Sequence, residues 1–470
     1  MVAVAAATVA GADRATCTET HRRWRPAGRF FFGEEEGLAL FPQEALNPGV
    51  RKREVFGWAM YDFANSGYTT VVITAVFAAY FVGGIAGKAP WATFAWTAAL
   101  SVSYAIVMVT MPSLGAWADL RAAKKRLLAL STAGCVASTA ALALAGPGSV
   151  PLAMLLVIVS NTFYSYGESL TAAFLPELAR PDAMGKVSGW GWSFGYFGGM
   201  LALGVCLAYV LWAQGRGIPA EHFVPVTMVL TAIIYGGASL LTFKLLRERA
   251  RPNPDAARQG GVRASLRQLH ATFMRARQYR DFMWLMACGV FYQGGVAVAV
   301  SLAAIYAEQV IGFRQQETMV LIFVLNIAAA AGAFAWGYLQ DRIGHKLALG
   351  STLVGWIATC LIAALTTTKG GFWWAAGIAG LCMGSSQSAG RALAGIFAPP
   401  RQVGEFFGLW TFAIRLASII GPLMYGGITW ATGGNQRTAI VATSAHITGP
   451  AEWSKRIATG EFKSIPVAAA

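Results

Sequence analysis

The chain has 470 residues, of which 56% are hydrophobic and only 13% are charged, and its mean hydropathy is +0.51. Soluble globular domains carry about 25% charged residues, so this composition excludes an ordinary soluble domain and favours a protein with many membrane-spanning helices. The formal net charge of +15 does not by itself indicate nucleic-acid binding, because in a membrane protein the basic residues also set the topology.

Eleven apolar stretches are each long enough to cross a bilayer as a helix. Six of them precede a polar, arginine-rich segment, and five follow it. This division predicts an irregular tail at 1–50, a six-helix bundle at 51–245, a basic linker at 246–280, a second bundle at 281–434 and a polar tail at 435–470. The predicted spans are 56–86, 92–117, 125–146, 149–178, 185–212, 222–245, 281–311, 317–340, 346–368, 371–398 and 404–432.

Basic residues are concentrated in alternate loops. The loops on one side of the predicted helices, which include 121–126 and the linker 246–280, hold most of them. The opposite loops hold only Lys88, Arg216, Arg314 and Lys369. This asymmetry predicts that the basic loops are cytoplasmic, where they can contact anionic lipid headgroups. A nucleic-acid partner is not predicted.

A short motif occurs twice, 222 residues apart, each time between two predicted spans. The first copy reads Gly115-Ala116-Trp117-Ala118-Asp119-Leu120-Arg121, and the second reads Gly337-Tyr338-Leu339-Gln340-Asp341-Arg342. A corner that recurs at the same place in two halves indicates a duplicated helical bundle. Internal repeats of this kind build many secondary transporters, which bind their cargo at the interface between the halves.

Each residue type in the motif has a physical use. The glycine allows helix backbones to approach closely in lipid. The aspartate can cap the helix that follows, or it can pair with the nearby arginine in a contact that latches one conformation. With Arg391 on span 10, the residues assigned to this gating or structural role are Gly115, Asp119, Arg121, Gly337, Asp341 and Arg342.

Charged side chains within spans are costly in lipid and commonly functional. Apart from His222, at the first position of span 6, no histidine falls within a predicted span, so a proton relay would use carboxylates, and Asp62 on span 1 and Glu168 on span 4 are the proton-coupling candidates. The alternative is that each forms a structural ion pair or bonds to Asn and Tyr neighbours. Arg415 on span 11 can bind a cargo carboxylate with its planar fork, or it can neutralise Asp62 or Glu168.

Polar side chains on several spans can line a central cavity. Each alone is more often an interhelical hydrogen bond than a ligand contact, but as a set they fit a substrate-binding cavity. These residues are Asn65, Asn161, Tyr164, Tyr166, Gln293, Asn326 and Gln387. Neither a Walker-type loop nor a metal-ligand or disulfide spacing of cysteines is found, so no cofactor, metal or direct drive by ATP is predicted.

Further motifs make the chain similar to a known family. They are Gly57-Trp58-Ala59-Met60-Tyr61-Asp62-Phe63-Ala64-Asn65-Ser66, Phe174-Leu175-Pro176-Glu177-Leu178, Gly185-Lys186-Val187-Ser188-Gly189-Trp190-Gly191-Trp192 and Glu405-Phe406-Phe407-Gly408-Leu409. With the paired corners, they resemble the vacuole effluxer-like branch of the major facilitator superfamily, relatives of the autophagy-associated amino-acid effluxer of fungal vacuoles. The resemblance covers about 55–440 and implies six plus six spans, so the twelfth is missing or degenerate in 435–470.

The sequence therefore predicts an all-α polytopic membrane protein with the major facilitator-type two-bundle fold. It predicts a secondary transporter, not an enzyme, that moves a small polar solute by alternating access with protons as the coupling ion. The resemblance implies an amino acid or a similar metabolite as cargo, exported or imported.

The predicted partners are the solute, protons and the lipid bilayer, and a monomer is favoured. The predicted location is a bacterial inner membrane, with a vacuolar membrane as the alternative. Two competing functions remain. The missing span suggests a transport-incompetent or receptor-like homologue, and a polytopic membrane enzyme would need a catalytic cluster that the sequence does not show.

Overall fold

The computed structural model describes residues 41–87, 89, 91–250, 273–274 and 276–448. Most of the predicted tail at 1–50, most of the linker at 246–280 and the end of the tail at 435–470 lie outside these residues. The described part of the chain is almost entirely helical and contains no strand beyond one isolated bridge between Leu46 and Ala179.

Twelve helices of more than ten residues follow one another in the described part of the chain. They are α1 (Lys52–Tyr68), α2 (Ala92–Arg121), α3 (Lys124–Ala141), α4 (Val150–Ala172), α5 (Met184–Gly215), α6 (Ala220–Leu245), α7 (Arg280–Tyr306), α8 (Gln315–Ile343), α9 (His345–Leu365), α10 (Lys369–Phe397), α11 (Val403–Ala431) and α12 (Gln436–Thr448).

Shorter helical segments extend or connect these helices. Two π-helical segments with a short α-helical turn between them continue α1 as far as Ile85, and a third π-helical segment follows α7. The remaining segments are short turns. The π-helical segments are Thr69–Ala75, Phe81–Ile85 and Ala307–Ile311, and the turns are Gln43–Ala45, Phe77–Tyr80, Leu142–Leu144, Leu175–Leu178 and Pro181–Ala183.

Ten of the described helices are long and apolar enough to cross a membrane, and the chain is a multi-span integral membrane protein. Of the eleven predicted spans, 371–398 forms the full-length helix α10 but is not among these ten. The stretch 384–388 reads Gly-Ser-Ser-Gln-Ser, and Ser385, Ser386 and Ser388 are buried against neighbouring helices. Because much of the surface of α10 packs against protein, this helix can carry small and polar residues. These residues lower its mean hydropathy.

The polar tail predicted at 435–470 is corrected for its first residues, which form α12. This helix packs on α7, α9 and α11. Its buried residues Ala439, Thr443 and Ile447 recur every four positions and so lie on one face. The 13 residues of α12 that the structure describes span about 20 Å, less than the roughly 30 Å of a hydrocarbon core. A hydropathy window long enough to detect a full span therefore misses it.

The helices assemble into two bundles, α1–α6 and α7–α12. In the first bundle, α1 packs on α5 and α6, and α4 packs on α2 and α3. In the second, α10 packs on α8 and α9, and α7 packs on α11. The bundles meet along two main seams, α2 against α11 and α5 against α8. The internal repeat relates α2 to α8 and α5 to α11, so the two seams are equivalent.

The odd-numbered helices all begin at the end of the molecule that carries the basic loops, here called the basic end. The chain before α1 lies against this end, so the predicted irregular tail is ordered from Phe41 onwards. The ring of Phe41 lies 4.9 Å from that of Trp190. Asn47 Nδ2 donates to the carbonyl of Pro176 at 2.9 Å, which ties this segment to the end of the first bundle.

Candidate functional site

The aspartates of the repeated motif bind helix starts in the opposite bundle. The carboxylate of Asp119, in the last turn of α2, accepts hydrogen bonds from the backbone N–H groups of Gly404 at 3.0 Å and Glu405 at 2.9 Å, in the first turn of α11. The carboxylate of Asp341 accepts from Gly185 and Lys186, both at 2.9 Å, at the start of α5. A helix start offers free N–H groups and the positive end of its dipole, so it stabilises an anion.

These contacts differ from both predicted alternatives. Among the described residues, neither aspartate forms an ion pair with Arg121 or Arg342, and neither caps the helix that follows it. Because Asp119 lies within the last turn of α2, its side chain leaves the side of the helix towards the neighbouring bundle. The guanidinium of Arg121 lies 4.7 Å above the ring of Trp117 instead.

The motif glycines bring these helix starts within reach. A Cβ atom at Gly115, one turn before Asp119, would collide with the backbone carbonyl of Gly404. A Cβ at Gly337 would lie 2.9 Å from the carbonyl oxygen of Gly185 and 3.3 Å from the Cα of Gly189. Any larger residue would therefore push the two bundles apart at the point where each aspartate binds its amides.

A buried ion pair joins the two bundles between α1 and α10. Asp62 Oδ2 accepts from Arg391 Nη1 at 2.6 Å, and the two side chains are 13% and 7% exposed. Arg391 also donates from Nε to the hydroxyl of Ser188 at 3.1 Å and from Nη2 to its carbonyl at 2.8 Å. The rings of Trp58 and Trp192 lie 4.8 and 5.3 Å from the guanidinium, close enough for cation–π attraction. Arg391 therefore links α1, α5 and α10.

A second ion pair, between Glu168 on α4 and Arg415 on α11, also joins the bundles. In this conformation Arg415 pairs with Glu168, whereas Asp62 pairs with Arg391. The rings of Tyr104 and Tyr164 lie 5.2 and 6.0 Å from the guanidinium. The Nε of Arg415 is buried without a hydrogen-bond partner in the described part of the chain, and the Glu168 side chain is 35% exposed. This pair therefore has spare hydrogen-bonding capacity, unlike Asp62 and Arg391.

The predicted polar residues of the first bundle form hydrogen bonds within that bundle. Asn65 Oδ1 accepts from the hydroxyl of Tyr235 at 2.8 Å, and Asn161 Nδ2 donates to the hydroxyl of Ser103 at 2.5 Å. The Tyr166 hydroxyl lies 2.6 Å from that of Thr110 on α2. These contacts fit interhelical bonds.

The polar residues of the second bundle behave similarly. Gln293 Nε2 donates to Gln387 Oε1 at 2.8 Å, which joins α7 to α10. Asn326 Nδ2 donates to the carbonyl of Ile322 in its own helix at 2.8 Å. Tyr164, beside Arg415, is the only member of the predicted polar set with a described contact to either ion pair.

Four side chains around the ion pairs escaped the sequence prediction: Trp58, Tyr104, Ser188 and Trp192. Trp58 lies four residues before Asp62, and Trp192 four residues after Ser188, so helical spacing puts each pair on one face. That spacing is a usable signal, although tryptophans near span ends are commonly interpreted as interfacial anchors. Tyr104 carries no comparable signal, because only the packing of α2 against α11 brings it to Arg415.

The sequence is similar to a family of vacuole effluxers and to a bacterial MFS-type transporter. The family described as vacuole effluxer Atg22-like matches residues 92–454. The uncharacterized MFS-type transporter YxiO of Bacillus subtilis (strain 168) is 28% identical over 392 residues, which cover 82% of this chain and 90% of that protein. Autophagy-related protein 22-1 of Aspergillus fumigatus is 24% identical over 271 residues, which cover 52% of this chain and 43% of the fungal protein.

Solved structures share the fold at low sequence identity. The human organic anion transporter MFSD10 superposes with a TM-score of 0.66 at 16% identity, over 84% of this chain and 97% of that one. The Escherichia coli fucose:proton symporter FucP gives 0.62 at 16% identity, over 84% and 94%. The predicted all-α, two-bundle membrane fold is confirmed. Because the family match covers more than half of the sequence, the chain belongs to the vacuole effluxer Atg22-like family within the major facilitator superfamily.

Proposed function

We propose that this protein is a secondary active transporter that moves a small polar solute by alternating access, with protons as the coupling ion. The observation that carries the proposal is the reciprocal binding of Asp119 and Asp341 to helix starts of the opposite bundle. These contacts lie at the basic end and would break if the bundles moved apart there. They therefore stabilise one of two conformations, which alternating access requires.

The two ion pairs have different roles in this proposal. Arg391 is bonded to Asp62 and Ser188 and lies between two tryptophans, so it holds the bundles together. Arg415 has one carboxylate partner and a free buried Nε, so it can accept a second carboxylate in bidentate geometry. We assign Arg415 to cargo binding and Glu168 to proton coupling, because a cargo carboxylate on Arg415 would release Glu168 to take up a proton.

The cargo we propose is an amino acid or a similar small carboxylate-bearing metabolite. A buried arginine facing aromatic rings suits a small organic anion or zwitterion, and the family description is that of an effluxer. The bacterial relative favours a bacterial inner membrane, and the fungal relatives make a vacuolar membrane the alternative.

Counterflow in proteoliposomes tests the function. Vesicles are preloaded with one unlabelled amino acid at a time, and uptake of the labelled form is followed with and without a pH gradient. We expect trans-stimulated uptake of at least one amino acid, and net accumulation only when a pH gradient is imposed. If folded, monodisperse protein exchanges no solute, the carrier proposal fails and a receptor-like role takes its place.

A further inference from the structure

The residues that follow α6 return to the start of α3 and bind it. The carboxylate of Glu248 accepts hydrogen bonds from the backbone N–H groups of Lys124 at 2.7 Å and Lys125 at 3.1 Å, in the first turn of α3. This is the geometry that the motif aspartates adopt on α5 and α11. A carboxylate from elsewhere in the chain thus occupies a helix start that has no side-chain cap of its own.

Further contacts fix this segment, which we call the clip and define as Leu246–Arg249. Lys125 Nζ donates to the carbonyl of Leu246 at 2.6 Å, and Leu246 is 1% exposed. Arg249 donates from Nη2 to Glu54 Oε2 at 2.7 Å and from its backbone N–H to Glu177 Oε2 at 3.2 Å. The clip is therefore bound to the starts of α1 and α3 and to the short helical turn after α4.

The start of α3 in turn fixes the last turn of α2. Only Ala122 and Ala123 separate the two helices, and Ala122 has the left-handed conformation with φ of 49°. The N–H of Ala123 donates to the carbonyl of Ala118 at 3.0 Å. With so short and closed a connection, a shift of Lys124 must move Asp119, which lies in the same turn as Ala118.

We propose that the clip positions the gating contact of Asp119, with Glu248 as the positioning residue. Glu248 holds the start of α3, the two-residue connection transmits this position to α2, and Asp119 is thereby aligned with the amides of α11. The proposal rests on the proposed function only in assigning a gating role to Asp119. At the second motif copy the equivalent turn is held locally, since Gln340 Nε2 lies 2.7 Å from His345 Nδ1, so Asp341 is independent of the clip.

Thiol accessibility at the seam provides the test, because it needs no transport. Ser169 on α4 is 2% exposed and donates to the carbonyl of Phe407 on α11 at 3.3 Å, so a cysteine there reports opening of the basic end. In a variant whose six native cysteines are replaced by alanine, Ser169→Cys is labelled with a maleimide in detergent. The labelling rate is compared with and without Glu248→Gln, Asp119→Asn and both substitutions, and Glu221→Gln, an exposed glutamate at the start of α6, is the control.

Glu248→Gln should raise the labelling rate on the order of fivefold, a typical size for coupling between sites, and Glu221→Gln should leave it unchanged. The double variant with Asp119→Asn should label no faster than Asp119→Asn alone, because both act through one contact. In a protein that also carries Asp341→Asn, Glu248→Gln should raise the labelling rate by the same factor as it does without Asp341→Asn. An unchanged rate in Glu248→Gln, or a full additional increase on the Asp119→Asn background, would overturn the proposal.

Two measurements keep the test independent of folding and of transport. The thermal unfolding midpoint of each variant shows whether global destabilisation causes the labelling. If Glu248→Gln does not purify as a monodisperse protein, Glu248→Asp replaces it, with a smaller increase expected because the shorter side chain still carries the charge. A protein that fails in counterflow but shows the coupled labelling loses the carrier function and keeps the clip.

Discussion

Asp62 on α1 and Arg391 on α10 lie 329 residues apart in the chain and form a 2.6 Å hydrogen bond between the two bundles. The first bundle contributes the carboxylate and the second the guanidinium. Glu168 and Arg415 repeat this polarity on α4 and α11. Both ion pairs therefore depend on the relative position of the two bundles.

Asp62→Asn should destabilise the protein, because it leaves the buried guanidinium of Arg391 without its anion. Loss of one partner of a buried pair commonly costs about 3–5 kcal/mol. Combining it with Arg391→Gln should restore much of the lost stability, since no unpaired charge then remains. The thermal unfolding midpoint in detergent measures both effects, and a double variant no more stable than Asp62→Asn would contradict the buried pairing.

Arg415→Lys should raise the KM for counterflow about tenfold, which corresponds to roughly 1.4 kcal/mol for one lost charged hydrogen bond. Lysine keeps the charge but cannot present two parallel donors to a carboxylate. Arg216→Lys, outside the seam and stacked on Trp212, is the matched control and should leave the KM unchanged. An equal KM in both variants would exclude Arg415 from cargo binding.

Glu168→Gln should preserve solute exchange and abolish the coupling of transport to protons. Counterflow needs no net proton movement, so it should persist, whereas accumulation driven by a pH gradient should be lost because glutamine cannot carry the proton. Glu317→Gln, the same change at a glutamate whose partners lie within the second bundle, is the matched control and should keep the accumulation. Accumulation that survives in Glu168→Gln would assign proton coupling elsewhere.

Gly115→Ala should open the basic end, because the added Cβ would collide with the backbone of Gly404. Labelling of Ser169→Cys should increase and counterflow should slow. Gly350→Ala on α9 is the control, since a Cβ there meets nothing within 4 Å and alanine favours the helix by up to about 1 kcal/mol. Equal labelling in the two variants would show that the seam tolerates a methyl group.

Glu317→Gln should leave counterflow and seam labelling unchanged, because its partners lie within the second bundle. The backbone N–H of Arg314, followed by the ammonium of Lys369, lowers the pKa of Glu317. A lowered pKa means that the stabilisation is present above the ordinary glutamate pKa and is lost as the pH falls through the lowered value. The difference in unfolding midpoint between wild type and Glu317→Gln should therefore be small at neutral pH and vanish in acid and in high salt.

Hydropathy was sufficient to predict the eleven stretches that form helices α1 to α11, because a helix in lipid satisfies its own backbone and needs only a long apolar sequence. It did not predict α12, of which the structure describes 13 residues, fewer than a full span needs. The repeated corner likewise predicted a duplicated architecture, since its two copies occupy the same place in the two sets of spans.

The sequence by itself determined which charges enter the membrane and which glycines and aspartates recur, as these are properties of single positions and their spacing. Only the tertiary structure decided that Arg391 binds Asp62, that Arg415 binds Glu168, and that each motif aspartate binds the opposite bundle. Helical periodicity extends over a few turns, whereas these partners are separated by more than 150 residues. Their pairing depends on how whole helices pack, which no local pattern specifies.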